Sequence, residues 1–105
     1  MKILSKKIAI VGATGAVGRV FLDLLNDNFP GEKDLFLLAS KKSEGKKISC
    51  GNQEFIVEDL ATFDFSRADI AFFSAGSEIS KIYAPLAEKK ECYVVDNTSY
   101  FRMNN

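Results

Sequence analysis

The chain has no histidine, and its two cysteines, Cys50 and Cys92, stand far apart with no Cys-x-x-Cys spacing. Within these residues that excludes a histidine-based acid–base pair and the usual ligand sets of a zinc site. Neither sign of charge is in excess: 14 Lys and Arg stand against 14 Asp and Glu. There is therefore no electrostatic footprint for nucleic acid. No apolar run reaches the ~18 residues of a membrane span. The start, Met1-Lys2, leads to a strand-like run without the long apolar stretch of a secretion signal. The expectation is a cytoplasmic protein that engages neither membrane nor nucleic acid. With 105 residues, 47% of them hydrophobic, the chain has the length of one domain able to form a core.

What the chain does have is concentrated between Lys7 and Gly18. Ile8, Ala9, Ile10 and Val11 show no polar–apolar alternation, which suits a central parallel strand covered on both faces. That strand runs into Gly12-x-x-Gly15-x-x-Gly18. Glycines at such a turn allow backbone angles closed to other residues and let a ligand approach the main chain with no Cβ in the way. A following helix would offer free amides and the positive end of its dipole to a pyrophosphate. The spacing is not Gly-x-Gly-x-x-Gly, so a tight strand-to-helix turn with no ligand is the other reading of the glycines alone.

After the turn, Val17, Val20, Phe21, Leu24 and Leu25 recur at helical spacing and are expected to form the stripe that packs on a sheet. Asn26 to Gly31 should end that helix. A second buried strand is expected at Leu35 to Ala39, completing a βαβ unit. A site choosing NAD usually carries an acid about 20 residues beyond the glycines, to bond the ribose hydroxyls. Here that stretch reads Ser40-Lys41-Lys42-Ser43. Two cations and two hydroxyls favour a 2′-phosphate, hence NADP, and a solvated basic loop is the alternative. Lys47 to Cys50 and Gln53 to Glu58 flank Gly51-Asn52 as a hairpin. Asp69 to Ser74 reads as another buried strand, ending in Ala75-Gly76-Ser77, where an open parallel sheet would bind a ligand. From Ile79 a helical pattern runs through Ile82, Tyr83, Leu86 and Ala87, with Pro85 expected to kink it or begin a second part. Tyr83 suits a core position better than a catalytic one. A last strand is expected at Tyr93 to Asp96.

Together these stretches resemble the N-terminal part of the aspartate-semialdehyde dehydrogenase family over nearly the whole chain. The matching pieces are Val11 to Gly18, Leu38 to Lys46, Phe73 to Gly76, Tyr83 to Pro85, and Asp96 to Met103 (Asp-Asn-Thr-Ser-Tyr-Phe-Arg-Met). N-acetyl-glutamyl-phosphate reductases share the glycine turn, but the Asp96 to Met103 run is much closer to the aspartate-semialdehyde enzymes. The resemblance implies a Rossmann-like, doubly wound α/β fold with a mostly parallel sheet. It implies NADP as cofactor, bound by Gly12, Thr14, Gly15, Ala16 and Val17 at its phosphates and by Ser40, Lys42 and Ser43 at its 2′-phosphate. Ser74, Ala75 and Gly76 would line the groove, with Asn97 near the nicotinamide. Arg102 would hold the phosphate of the substrate. This chain departs from the family at Lys42, usually arginine, and at Ser77, usually glycine, and a lysine lacks the bidentate fork.

The activity so implied is NADPH-dependent reductive dephosphorylation of aspartyl phosphate to aspartate semialdehyde, feeding lysine, threonine and methionine synthesis. The whole enzyme is expected to be a homodimer or homotetramer. The family's cysteine nucleophile and histidine belong to a substrate domain, and neither Cys50 nor Cys92 lies in the cysteine motif. Residues 1–105 are thus expected to be the NADP-binding part, a fragment without catalytic residues. Six strands and a substrate domain need more chain than this. A stand-alone NADP-sensing module is the alternative. An extended short-chain reductase fits poorly, since Tyr83, Tyr93 and Tyr100 are followed four residues on by Ala87, Asn97 and Asn104 and not by lysine.

Overall fold

The computed structural model describes residues 6–28 and 33–96. Its strands are β1 (Lys7–Val11), β2 (Asp34–Ala39), β3 (Lys47–Cys50), β4 (Gln53–Ile56), β5 (Glu58–Asp59), β6 (Ile70–Phe73) and β7 (Tyr93–Asp96), and its helices are α1 (Ala16–Asn28) and α2 (Ser77–Lys89). Five strands form one sheet in the order β5-β2-β1-β6-β7, and every pairing in it is parallel. β3 and β4 form the separate antiparallel hairpin, with Ile48 opposite Phe55. The mostly parallel α/β fold expected from the sequence is therefore present, and among the described residues the main sheet is wholly parallel.

The lack of alternation in β1 has its explanation in two apolar layers. Ile8 and Ile10 join Leu22 and Leu25 of α1, Leu35 and Leu37 of β2, and Ile48 and Cys50 of the hairpin. Ala9 and Val11 face the other way, toward Leu38, Phe73 and Ala87 of α2. Each layer removes its side chains almost entirely from water. Burial of Phe73, Ile10, Leu37 and Leu38, all below 2% exposed, contributes roughly 1.5–3 kcal/mol each. Phe21 of α1 stacks on Phe72 of β6 with ring centroids 3.8 Å apart.

The inward stripe of α1 differs from the one the sequence predicts. Gly18, Leu22 and Leu25 are buried, whereas Val17, Val20 and Leu24 are 39%, 56% and 52% exposed. The cause is steric. A Cβ on Gly18 would lie 2.3 Å from the Gly12 carbonyl oxygen. Residue 18 must therefore present its bare Cα to the turn, which sets the rotation of the helix and turns the valines outward. α1 ends at Asn28, within the Asn26 to Gly31 stretch expected to stop it, and Asn28 donates from Nδ2 to the Leu24 carbonyl at 2.8 Å, satisfying one of the last turn's free acceptors.

Pro85 does not divide α2, which is continuous from Ser77 to Lys89. Pro85 and Lys81 are both exposed. The carbonyl that loses its donor thus lies on the water side, where its loss is least costly. α2 stops in a left-handed turn: Glu91 has φ +62°, its N–H donates to Glu88, and Cys92 N–H donates to Ala87. Those two bonds are the Schellman pattern, in which glycine is the preferred residue.

Two stability changes follow from these contacts. Gly18→Ala should destabilise the fold by ~2 kcal/mol or more, because rigid backbone would have to move. Glu91→Gly should stabilise it by about 1 kcal/mol by removing the left-handed strain. Urea denaturation of both variants, followed by circular dichroism, measures the two shifts.

Candidate functional site

The chain adds β2 on one side of β1 and β6 on the other, so the strand order switches at β1, and open parallel sheets bind ligands outside their carboxyl ends at such a point. A cavity of about 660 Å³ lies there. Its lining comes from the glycine turn (Gly12, Thr14, Gly15), the end of β2 (Ala39, Ser40, Lys41), the end of β5 (Asp59, Leu60, Ala61), the end of β6 (Ser74, Ala75) and α2 (Ile79, Tyr83).

The three glycines have different tasks. Gly12, at φ +87°, sits so close to Ala75 that an added Cβ would lie 2.8 Å from the Ala75 Cβ. Gly18 fits the helix against the turn. At Gly15 an added Cβ would meet only the Gly12 oxygen, at 3.4 Å. Fold therefore accounts for Gly12 and Gly18, while Gly15 leaves room beside the cavity. The amides divide in the same way. Gly12 and Ala13 donate to the Leu38 carbonyl, and Gly15 donates to Gly12. Among the described residues no backbone acceptor takes the N–H groups of Thr14, Ala16 or Val17. Free amides at a helix start, on the positive side of the helix dipole, form an anion site.

Opposite the turn, Ser40 begins a short 3₁₀ turn, Lys41–Ser43, but its hydroxyl makes no capping bond. The Ser43 amide bonds the Ser40 carbonyl instead, at 2.9 Å. Ser74 fastens β6 to β1: both its amide and its hydroxyl donate to the Val11 carbonyl at 2.9 Å. On the far wall the Asp59 carboxylate accepts from Ala61 N–H at 3.0 Å. Ile79 and Tyr83 pack partly into the α2-side core and supply an apolar surface.

Of the residues expected from the sequence, the fold thus gathers Gly12, Thr14, Gly15, Ser40, Ser74 and Ala75 around one cavity. Ala16 and Val17 are exposed at the start of α1, Lys42 is exposed and Ser43 half-buried on the 3₁₀ turn, and Gly76 precedes α2 at φ +108°. These five adjoin the lining residues in sequence without lining the cavity. Asn97 and Arg102 lie outside the described residues. The sequence counts Lys41 among the two cations of Ser40 to Ser43 without giving it a contact of its own, and offers no signal for Asp59, Leu60, Ala61 or Ile79 as site residues. Lys41 is the neighbour of Lys42, and nothing short of the turn's geometry distinguishes them. Asp59 reaches the site through the pairing of Ala39 with Asp59.

The thiols lie elsewhere. Cys50 is buried, its Sγ 3.5 Å from the Leu22 carbonyl, and burial raises its pKa against the pull of Lys33. Cys92 is buried too, and burial pushes it up to about 11, aided by the Asp69 charge. Neither lines the cavity.

A parallel α/β sheet with a glycine turn, free helix-start amides and a polar second strand end defines a dinucleotide-binding unit. The chain belongs to the family described as "Semialdehyde dehydrogenase, NAD binding domain", which it matches over residues 7–105. It is 57% identical over 96 residues to an aspartate-semialdehyde dehydrogenase of Legionella pneumophila, covering 90% of this chain and 27% of that protein. The fold is similar to the crystal structure of aspartate semialdehyde dehydrogenase II of Vibrio cholerae complexed with ASA, with a TM-score of 0.84, 46% identity, and coverage of 92% of this chain and 32% of that one. It is also similar to the aspartate semialdehyde dehydrogenase with NADP of Candida albicans, at TM-score 0.72, 25% identity, and coverage of 92% and 30%. The chain therefore spans about a third or less of the length of these relatives.

Raised thiol pKa values carry two consequences. A thiol-selective disulfide reagent should react slowly with the native chain and with two thiols once urea unfolds it. For Cys92 the protonated form is favoured by folding, so its stabilisation is present below the ordinary value of 9.0 and declines as pH rises toward about 11. Denaturation midpoints between pH 8 and 11, compared with Cys92→Ala, would show that decline as specific to Cys92.

Proposed function

We propose that this chain is the NADP-binding unit of an aspartate-semialdehyde dehydrogenase that reduces aspartyl phosphate to aspartate semialdehyde and phosphate. The observation that carries the reading is a single cavity with an anion-attracting helix start on one side and Ser40-Lys41 on the other. The residues fit such a cofactor: Gly15 leaves space for close approach, and among the described residues no backbone acceptor takes the amides of Thr14, Ala16 and Val17. When bound, NADPH supplies the hydride.

This chain's own residues bind and orient. Gly12, Thr14, Gly15, Ala16 and Val17 hold the pyrophosphate, and Ser40, with Lys42 and Ser43 on the following turn, meets the 2′-phosphate. Ser74, Ala75 and Gly76 border the groove, while Asn97 and Arg102, outside the described residues, are assigned by the family resemblance to the nicotinamide end and the substrate phosphate. The nucleophilic cysteine and its histidine partner are assigned to a substrate domain outside residues 1–105, making these residues one domain of a larger cytoplasmic homo-oligomer. The buried, raised thiols of Cys50 and Cys92 support that assignment, because the thiolate is the nucleophile. Similarity to relatives named as aspartate-semialdehyde dehydrogenases supports the substrate class.

Calorimetric titration tests the reading. NADP should bind more tightly than NAD, and Gly15→Val should weaken NADP by at least ~10-fold with an unchanged circular dichroism spectrum, because a branched side chain would occupy phosphate space. Equal affinity for the two nucleotides, or normal binding by a folded Gly15→Val variant, overturns it.

A further inference from the structure

The parallel pairing of β2 and β5 brings together two charges that are 18 residues apart in sequence. Ala39 pairs with Asp59, so Ser40 and Lys41 continue from one strand end while Asp59 closes its neighbour, and Ser40, Lys41 and Asp59 all line the cavity. Adjacent strands lie about 4.8 Å apart. A lysine and an aspartate thus line the same cavity, on the side that meets the 2′ position of an adenosine ribose if the cavity holds a dinucleotide.

Resting on that reading of the cavity, we propose that the choice between NADP and NAD is set by Lys41 and Asp59 acting against one another. The carboxylate is well placed to accept from ribose hydroxyls. Its Oδ1 is held by Ala61 N–H at 3.0 Å, which fixes the group at the rim, and no hydrogen bond among the described residues engages Oδ2. It also repels a 2′-phosphate. Lys41 offsets that repulsion, and the uncommitted Ser40 hydroxyl adds a neutral donor. The stretch at the end of β2 carries no acid, yet the site has one, delivered by β5. Dinucleotide sites that select NAD usually carry an acid at the end of the second strand; here the acid comes from the adjacent β5, and a lysine following β2 counters it. Lys42 is exposed like Lys41 but lies outside the lining, and has the lesser part.

The experiment titrates NADP and NAD into the natural polypeptide and into Lys41→Ala, Lys42→Ala and Asp59→Asn. Asparagine keeps an oxygen for Ala61 N–H, so Asp59→Asn removes charge without removing the turn's bond. Lys41→Ala should weaken NADP about 10-fold while leaving NAD nearly unchanged. Asp59→Asn should raise the NADP-to-NAD affinity ratio about 10-fold. Lys42→Ala should shift the ratio less than Lys41→Ala does. If the unmutated protein prefers NADP but Lys41→Ala and Asp59→Asn both leave the ratio within about twofold, this proposal falls and the binding reading stands. A larger shift from Lys42→Ala than from Lys41→Ala also overturns it. Binding of neither nucleotide by the unmutated protein overturns the reading of the cavity, and this proposal with it.

Discussion

The contact between Gly18 and the Gly12 carbonyl governs much of the molecule. A methyl group at residue 18 would stand 2.3 Å from that oxygen, well inside any allowed approach. With only hydrogen there, α1 settles directly on the turn that launches it. Its rotation is then determined, so Leu22 and Leu25 enter the core and Phe21 stacks on Phe72. The same seating brings the start of α1 to the carboxyl end of β1, leaving the Thr14, Ala16 and Val17 amides without backbone partners among the described residues. One steric necessity therefore produces both a packed layer and an anion-attracting concavity.

How much of this was legible in the chain depended on how local the determinant was. The β1 strand, the glycine turn and the buried β6 are written in runs of adjacent residues and lie where those runs place them, whereas the hairpin at Gly51-Asn52 keeps only Gln53–Ile56 of the expected Gln53 to Glu58, because Glu58 pairs with Leu38 in the main sheet. The inward face of α1 was misread because Val17, Val20 and Leu24 have the apolarity of a core stripe, while helix rotation is decided by a clash involving Gly12. The continuity of α2 through Pro85 likewise depends on which side of the helix faces water. In the site, residues near the glycines could be found from spacing. Asp59 could not, because β5 is two residues long and acquires its meaning only from its register with Ala39.

The two sides of the sheet divide the work. The α1 side, closed by the hairpin, is a conventional apolar layer, and Gln53 ties that hairpin to the start of β2 by pairing its amide with both the N–H and the C=O of Lys33. The α2 side holds the aromatic group Phe36, Phe63, Phe65 and Phe73 and also lends Ile79 and Tyr83 to the cavity. Ser80, buried on α2, donates to Asp96 at 3.3 Å and so links the helix to the end of β7. The cavity is accordingly apolar toward α2 and polar toward the turn and the strand ends. Such a division suits a ligand with a flat apolar ring at one point and phosphates at another.

The brevity of β5 gives the cavity walls unequal strength. The glycine turn is backed by the five-residue pairing of β1 with β2, whereas β5 meets β2 at only two positions. It is held further by the buried Val57 and Leu60 on either side of it and by Glu58, whose carboxylate binds Arg67 at 3.0 Å while that guanidinium lies over the rings of Phe36 and Phe63. Both partners of the ion pair are exposed, so salt weakens the link, while the contact with the rings is less sensitive. Local opening costs least where ladder bonds are fewest. The wall that carries Asp59 is therefore the part of the binding surface that can breathe without unfolding the sheet, and amide exchange there belongs to a faster class than exchange in β1.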